Sequence, residues 1–184
     1  MSPEKPEVTG PIEVHDPETI ERITRFRFES WRATGLIVPE AFPGGAWRDD
    51  LDDVARHFVL EVDGRLAASV RYVQFERLGD MPLAAHYRSY GLDLEGPIGL
   101  PGRMTVRPGL FRMGLMSRLA NHIVEIARVS GARYTINEAT PPAVAMLLER
   151  GRTLIGPAPH DPRFPEVSFQ FVLTDVALAT GGAR

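Results

Sequence analysis

Apolar residues recur at steps of three and four through Met116, Leu119, Ala120, Ile123, Ile126 and Ala127. That is the spacing of one buried helix face, and it predicts a helix from roughly Arg112 to Ser130, with Gly131 where a left-handed C-cap is wanted. A strand at about Arg103–Arg107 precedes it. Pro108-Gly109 closes that strand, because proline cannot donate to a ladder and glycine permits a turn. Tyr134-Thr135-Ile136, β-branched and aromatic, predicts a second strand. A strand–helix–strand unit of this length is a parallel, right-handed crossover.

The remaining pattern surrounds this unit. Met1 to about Gly10 reads as a flexible tail, with Pro3 and Pro6 and little to bury. Ile12–His15 predicts a short strand. Asp16-Pro17-Glu18-Thr19 opens a helix with an N-cap aspartate, proline at the first position and an acidic first turn. Its inner face is Ile20, Ile23, Phe26 (or Arg27) and Trp31, and it ends near Gly35. Leu36–Trp47 is a loop holding Phe42 and Trp47; it is either a lid or pocket wall, or a loop pinned to the core by its aromatics. The acidic run Asp49–Asp53 reads as a solvated face or helix start. Apolar alternation on both sides of Asp63-Gly64 predicts a hairpin over His57–Phe75. Glu76–Leu100 is an irregular insertion with one short helix at Leu83–Tyr90. Insertions of this kind often line a substrate site. Pro141–Arg150 predicts a short helix capped by Gly151, Thr153–Ile155 a strand, and Val167–Leu173 a half-buried strand. The final GGAR reads as frayed. The order is that of one mixed α+β domain over residues 11–178, a central twisted mixed sheet flanked by helices.

Composition narrows the chemistry. The 184 residues are 43% hydrophobic and 24% charged, ordinary for a soluble globular chain. A net charge of −3 argues against a broad nucleic-acid surface. There is no cysteine, so disulfides, thiolate catalysis and cysteine metal sites are excluded together. The 5 histidines have no short-spaced pair, which argues against a metal enzyme. No apolar run approaches a membrane span, and MSPEKPEV is not a signal peptide. These features predict a cytoplasmic protein without membrane or nucleic-acid partners.

The candidate chemistry sits where the central helix begins. Backbone N–H groups gather there and favour phosphates. Thr105, Val106, Arg107, Phe111, Arg112, Met113, Gly114, Leu115 and Met116 surround that point. Gly114 permits close approach of a ligand, and Arg107 and Arg112 add positive charge. The turn either holds the pyrophosphate or phosphopantetheine of an acyl carrier, or is an ordinary crossover with nothing bound.

The element order resembles the GNAT superfamily of N-acetyltransferase-like acyltransferases. Val106 and Pro108 stand where that family has Val-x-Pro, Gly114 at the first glycine of its loop, and Leu119 in its apolar helix. Phe111 replaces the usual Arg or Gln, and Met116 the usual Gly or Ala. The resemblance implies a splayed parallel strand pair, acetyl-CoA or another acyl-CoA as donor, a small-molecule amine as acceptor, and allows a homodimer. A narrower likeness is to acyl-homoserine-lactone synthases and N-acyl amino acid synthases, which take acyl groups from acyl carrier protein. It rests on Trp31, Asp50-x-x-Asp53, Arg71 and Pro101-Gly102-Arg103, where those enzymes resemble Glu-Ser-Arg. It implies that a carrier-protein thioester is the alternative donor, docked on Arg107, Arg112 and Arg118.

Acyl transfer to an amine needs a base, an oxyanion donor and a proton for the leaving thiolate. The tyrosine that the family carries early in its penultimate helix is replaced by Leu148, and no carboxylate lies in Gly102–Arg107. Glu138 is the preferred base, with Glu61 and His160 as alternatives and Tyr134 the acid candidate. Arg71, with Arg103 and Asp50/Asp53, is either part of the catalytic site or one corner of a buried ion-pair network. A non-catalytic ligand-binding or scaffold protein, and a related fold recruited to another biosynthetic reaction, are the competing functions.

Overall fold

The computed structural model describes residues 6–179. Proline and aspartate set the first elements. Strand β1 is Val8–Val14, and helix α1 is Pro17–Arg32. The Asp16 carboxylate accepts the Thr19 N–H at 2.8 Å, with Pro17 in the first turn as the sequence predicts. β2 (Arg56–Val62) and β3 (Arg65–Phe75) are the predicted hairpin. Its turn residues Asp63 and Gly64 have φ of 49° and 70°, the left-handed pair that a two-residue hairpin loop requires. α2 (Ala84–Ser89) lies in the insertion. β4 (Ile98–Val106), α3 (Leu115–Val129) and β5 (Tyr134–Ala139) form the central crossover. α4 (Pro141–Leu148), β6 (Thr153–Pro157) and β7 (Gln170–Asp175) follow. The strands pair in the order β1-β2-β3-β4-β5-β7-β6, a mixed sheet flanked by helices. β4 and β5 are parallel, registered through Ile98 with Tyr134 and Gly99 with Thr135.

The chain divides into two compact units: residues up to Arg71 with Arg103–Ala120, and Tyr72–Gly102 with residues from Asn121 onward. In the first, Val14, Ile23 and Val59 form a buried cluster with Ile20 and Leu66 packed on it. In the second, Leu78, Met81, Tyr87, Ile98, Ile136 and Phe171 form the core, and α4 packs Val144 and Leu147 on Ala139 and Val172.

Several boundaries differ from the sequence expectation, each for a local reason. β1 begins at Val8 rather than Ile12, because Val8 and Thr9 pair with Val62 and Glu61; the expected tail therefore loses Val8–Gly10. The first five residues of that tail, and the GGAR end, lie outside the described residues. β4 begins at Ile98 rather than Arg103. Pro and Gly in IGLPG argue against a strand, but a Cβ on Gly99 would lie 2.5 Å from the Tyr72 ring. The glycine is there to let that ring pass. α3 starts at Leu115 rather than Arg112, since Phe111–Met113 form a 3-10 turn and Gly114 has φ 71°. β7 starts three residues late: the Val167 N–H turns back to the Phe164 carbonyl at 3.0 Å, and Phe164 and Phe169 pack edge to face at 5.4 Å. On α1 the inner face is Ile23, Arg27 and Phe28, with Phe26 only half-buried. No helix among the described residues is long and apolar enough to cross a membrane.

Candidate functional site

The turn between β4 and α3 is built as a sharp bend. Thr105 and Val106 are buried at the strand end, and the Thr105 hydroxyl donates to the Arg103 carbonyl at 3.2 Å. The Arg107 N–H continues the ladder to the Ala67 carbonyl at 2.8 Å. Pro108-Gly109 then turns the chain into the 3-10 turn. Gly114, left-handed, reverses it into α3, whose first bond runs from the Arg118 N–H to the Gly114 carbonyl at 3.0 Å. A Cβ on Gly114 would meet nothing within 4 Å, so this backbone is open to approach. Leu115 anchors the helix start in the core, Met113 and Met116 are half-buried, and Phe111 and Arg112 face solvent.

The arginines here are spent differently from the expectation. The Arg107 guanidinium donates to the Leu66 carbonyl through Nε at 3.1 Å and through Nη2, over the Phe26 ring at 5.6 Å. Arg118 donates to the Gly10 carbonyl, and to that of Val8 at 3.4 Å. Two of the three cations expected to meet a carrier protein are thus engaged by backbone carbonyls, and Arg112 stands exposed.

The second unit carries the expected acid and base. Glu138 is exposed near the end of β5, opposite Phe171 of β7. Tyr87 packs on the same Phe171 at 4.9 Å, and burial together with the Glu138 charge raises its phenol above the ordinary value. Tyr134 is half-buried opposite Asp175, beneath the Arg133 guanidinium. Tyr134 and Glu138 share one face of β5 but stand roughly 13 Å apart along it at about 3.3 Å per residue. One reacting carbonyl does not span that distance, so the two do not form a single acid–base site. Glu61 lies opposite Thr9 between β1 and β2, and His160 and Leu148 face solvent.

Arg71 belongs to a buried ion-pair network in the first unit, not to an open catalytic position. Its Nη1 lies 2.5 Å from Asp49 Oδ1 and 3.0 Å from Asp52 Oδ2, and its Nη2 donates to Asp49 Oδ2 at 3.0 Å. Arg27 donates to Asp52 Oδ1 at 2.7 Å with both side chains 0% exposed. Arg103 donates to Asp49 Oδ2 at 2.5 Å and lies over the Trp47 ring at 4.4 Å. His57 bridges Arg27 and the Asp52 carbonyl, with Nδ1 3.3 Å from Arg27 Nη2 and Nε2 2.9 Å from the oxygen. This arrangement requires the Nε2–H tautomer.

Charge and burial compete throughout this network. Burial raises Asp49 and Asp52, but the guanidiniums outweigh it and hold both carboxyls below the ordinary range: Arg71 and Arg103 for Asp49, Arg27 and Arg71 for Asp52. Burial pushes Arg27 down to about 10 against the pull of Asp52, and pushes His57 down, keeping the imidazole neutral.

The network corrects the acidic register. The inward pair is Asp49/Asp52, not Asp50/Asp53. Asp49 caps the 3-10 turn Asp50–Asp53 in a reciprocal capping box with Asp52, and those two capping positions face Arg71. Asp53 points outward to Arg48. Arg27, Trp47 and His57 were not singled out as site residues by the sequence pattern. The Leu36–Trp47 loop is pinned by its aromatics, Phe42 on Phe28 at 5.7 Å and Trp47 on Trp31 at 5.9 Å. Among the described residues no group of three or more His, Asp and Glu is placed to hold a metal ion.

Known proteins share this architecture. The sequence profile of the acetyltransferase (GNAT) family matches residues 18–151. The N-acyl amino acid synthase FeeM from uncultured soil microbes superposes with a TM-score of 0.64 at 14% identity, covering 94% of this chain and 93% of that one. The AHL synthase LasI gives 0.65 at 12% identity, covering 95% and 98%. The CoA-dependent acyl-homoserine lactone synthase MesI gives 0.61 at 19% identity, covering 90% of each chain. No curated protein sequence matches this chain.

Proposed function

The chain belongs to the acetyltransferase (GNAT) family, and from that premise we propose that it is an N-acyltransferase moving an acyl group from a CoA thioester to the amine of a small molecule. The observation that carries the donor half is the open, left-handed Gly114 between the 3-10 turn and the first turn of α3. The donor's pyrophosphate lies against the backbone of Arg112–Met116 there, where helix N–H groups converge. The residues around it are Thr105, Val106, Arg107 and Phe111, with Arg112 supplying the exposed charge. An acyl carrier protein presents the same phosphopantetheine and is the alternative donor.

On the acceptor side the amine nitrogen loses a proton and attacks the thioester carbonyl carbon. The carbon–sulfur bond then breaks, and the thiolate takes a proton. Glu138, exposed at the end of β5, is the base of this reading. Solvent supplies the thiolate proton, since Leu148 stands where the family has tyrosine. That leucine is the observation favouring a second reading, a ligand-binding protein of the same fold without turnover.

Thermal unfolding with acetyl-CoA, a longer acyl-CoA and free phosphopantetheine tests the proposal, alongside Gly114→Asp. A ligand at 100 times its dissociation constant stabilises by about 2.7 kcal/mol. Stabilisation by an acyl-CoA that Gly114→Asp abolishes, with thiol release when amines are added, supports acyl transfer. Stabilisation without thiol release for any amine supports the binding protein. No shift with any of the three, and none with acyl carrier protein, refutes both.

A further inference from the structure

We infer that Arg118 is a positioning residue for the donor turn, tying the start of α3 to strand β1 so that donor binding and the docking of β1 strengthen each other; this rests on the acyltransferase reading above and deepens its donor half. Three observations converge. The first is how little else holds the turn. None of Phe111, Arg112 and Met113 is buried, and the left-handed Gly114 that follows has no side chain. Leu115 is the first residue after them anchored in the core. The N–H groups that face the donor's phosphates therefore ride on a segment with few side-chain anchors of its own.

The second is the reach of Arg118. Its own N–H closes the first turn of α3 on the Gly114 carbonyl at 3.0 Å. Its guanidinium leaves the helix and donates to two carbonyls of β1, that of Gly10 through Nη2 and that of Val8 through Nη1 at 3.4 Å. Hydrogen bonds from a cation are the stronger kind, and a planar guanidinium fixes direction as well as distance. The third is the shape of β1, an edge strand. It pairs with β2 at Thr9 opposite Glu61 and again at Ile12 opposite Val59. Gly10 and Pro11 thus stand against Leu60 alone, as in a β-bulge. A bulge leaves its extra residue out of the ladder and re-aims the strand, often beside a functional site. Gly10 has φ 99°, and a Cβ there would lie 2.6 Å from the Val59 carbonyl oxygen, so the bulge that presents the Gly10 carbonyl to Arg118 requires glycine. Any coupling between donor binding and β1 docking acts equally in both directions.

The experiment compares wild type, Arg118→Met, Gly10→Ala and the double variant. Acetyl-CoA, a longer acyl-CoA and an acyl-loaded carrier protein are titrated by calorimetry at a temperature where each variant is fully folded. Amide hydrogen exchange across Val8–Val14 is followed with and without the donor that binds. The expected result is donor binding weakened by at least about fivefold in each single variant, although Gly10→Ala removes no charge. The double variant loses less than the product of the two, because both act through one contact. Donor slows exchange across β1 in wild type and not in Arg118→Met.

A merely structural Arg118 lowers the melting temperature of Arg118→Met and leaves its donor affinity as in wild type; that result overturns the inference alone. Affinity lost in Arg118→Met but kept in Gly10→Ala assigns Arg118 to the donor as a direct contact and also overturns it. If wild type binds none of the three thioesters, the donor reading and the inference fall together. Should Gly10→Ala fail to fold, exchange decides: protection of β1 by donor that Arg118→Met loses supports the inference, and equal protection in the two, or none, refutes it.

Discussion

Replacing Asp52 by asparagine removes one charge at the centre of the network while keeping the shape. Asp52 Oδ1 accepts from Arg27 Nη1 at 2.7 Å; Oδ2 accepts from the Asp49 N–H at 3.0 Å and lies 3.0 Å from Arg71 Nη1. An amide has one oxygen. If it faces Arg27, its NH2 points at the Asp49 N–H and Arg71; if it turns, the NH2 points at Arg27. Either way donors oppose donors around a guanidinium that is 0% exposed. Breaking one partner of a buried pair costs about 3–5 kcal/mol, against the roughly 0–1 kcal/mol of an exposed pair such as Arg48–Asp53. At about 2–4 °C per kcal/mol for a chain of this size, the midpoint should fall by roughly 6–20 °C. Urea unfolding at pH 7 and a thermal melt of Asp52→Asn and Asp53→Asn measure the contrast. Adding Arg27→Met to Asp52→Asn should recover part of the loss, because the Arg27 guanidinium no longer lies buried without its carboxylate. Losses for the two aspartates that agree within about 1 kcal/mol would refute the inward register of Asp49/Asp52 and the reasoning built on it.

The same carboxyls set an acid limb. Asp49 and Asp52 sit below their ordinary value in the folded protein. Their stabilisation is therefore complete above about pH 4 and is lost as pH falls through the lower folded values; urea midpoints between pH 5 and 2 should show it, and Asp52→Asn should flatten it. Gly99→Ala places a methyl 2.5 Å from the Tyr72 ring and should cost about 1–3 kcal/mol by urea unfolding, whereas Gly114→Ala meets no atom and should cost only the roughly 1 kcal/mol of a left-handed alanine. Glu138→Gln, on an exposed side chain, should leave the melting temperature unchanged and lower kcat by roughly 10²- to 10⁴-fold once an acceptor is known; unchanged kcat removes Glu138 from the chemistry.

What was legible in the sequence was whatever depends on local chain physics. The N-cap at Asp16, the hairpin turn at Asp63-Gly64 and the apolar stripe of α3 each follow from residues within a few positions of one another. The start of α3 was misread by three residues because periodicity continues through Arg112 and Met113, while one left-handed glycine interrupts the backbone. Apolar periodicity also reaches Arg27 only as an alternative to Phe26, without a reason for a buried guanidinium there. Its place on the inner face of α1 exists because Asp52, far along the chain, is turned to meet it, and a long-range ion pair leaves no periodic trace.

The aspartate register shows the limit most sharply. Asp49, Asp50, Asp52 and Asp53 are chemically identical, and spacing by itself admits either Asp50/Asp53 or Asp49/Asp52. The choice falls to Asp49 because it takes the N-cap of a 3-10 turn, accepting the Leu51 N–H at 3.1 Å while the Asp52 carboxylate accepts the Asp49 N–H at 3.0 Å. Two oxygens are thereby held by backbone donors, and the same two oxygens lie against Arg71. Capping geometry thus decides which carboxylates enter the network. The network in turn leaves Arg103 and Asp49 as its more exposed members, with side chains 16% and 30% exposed, while Arg27 and Asp52 are sealed.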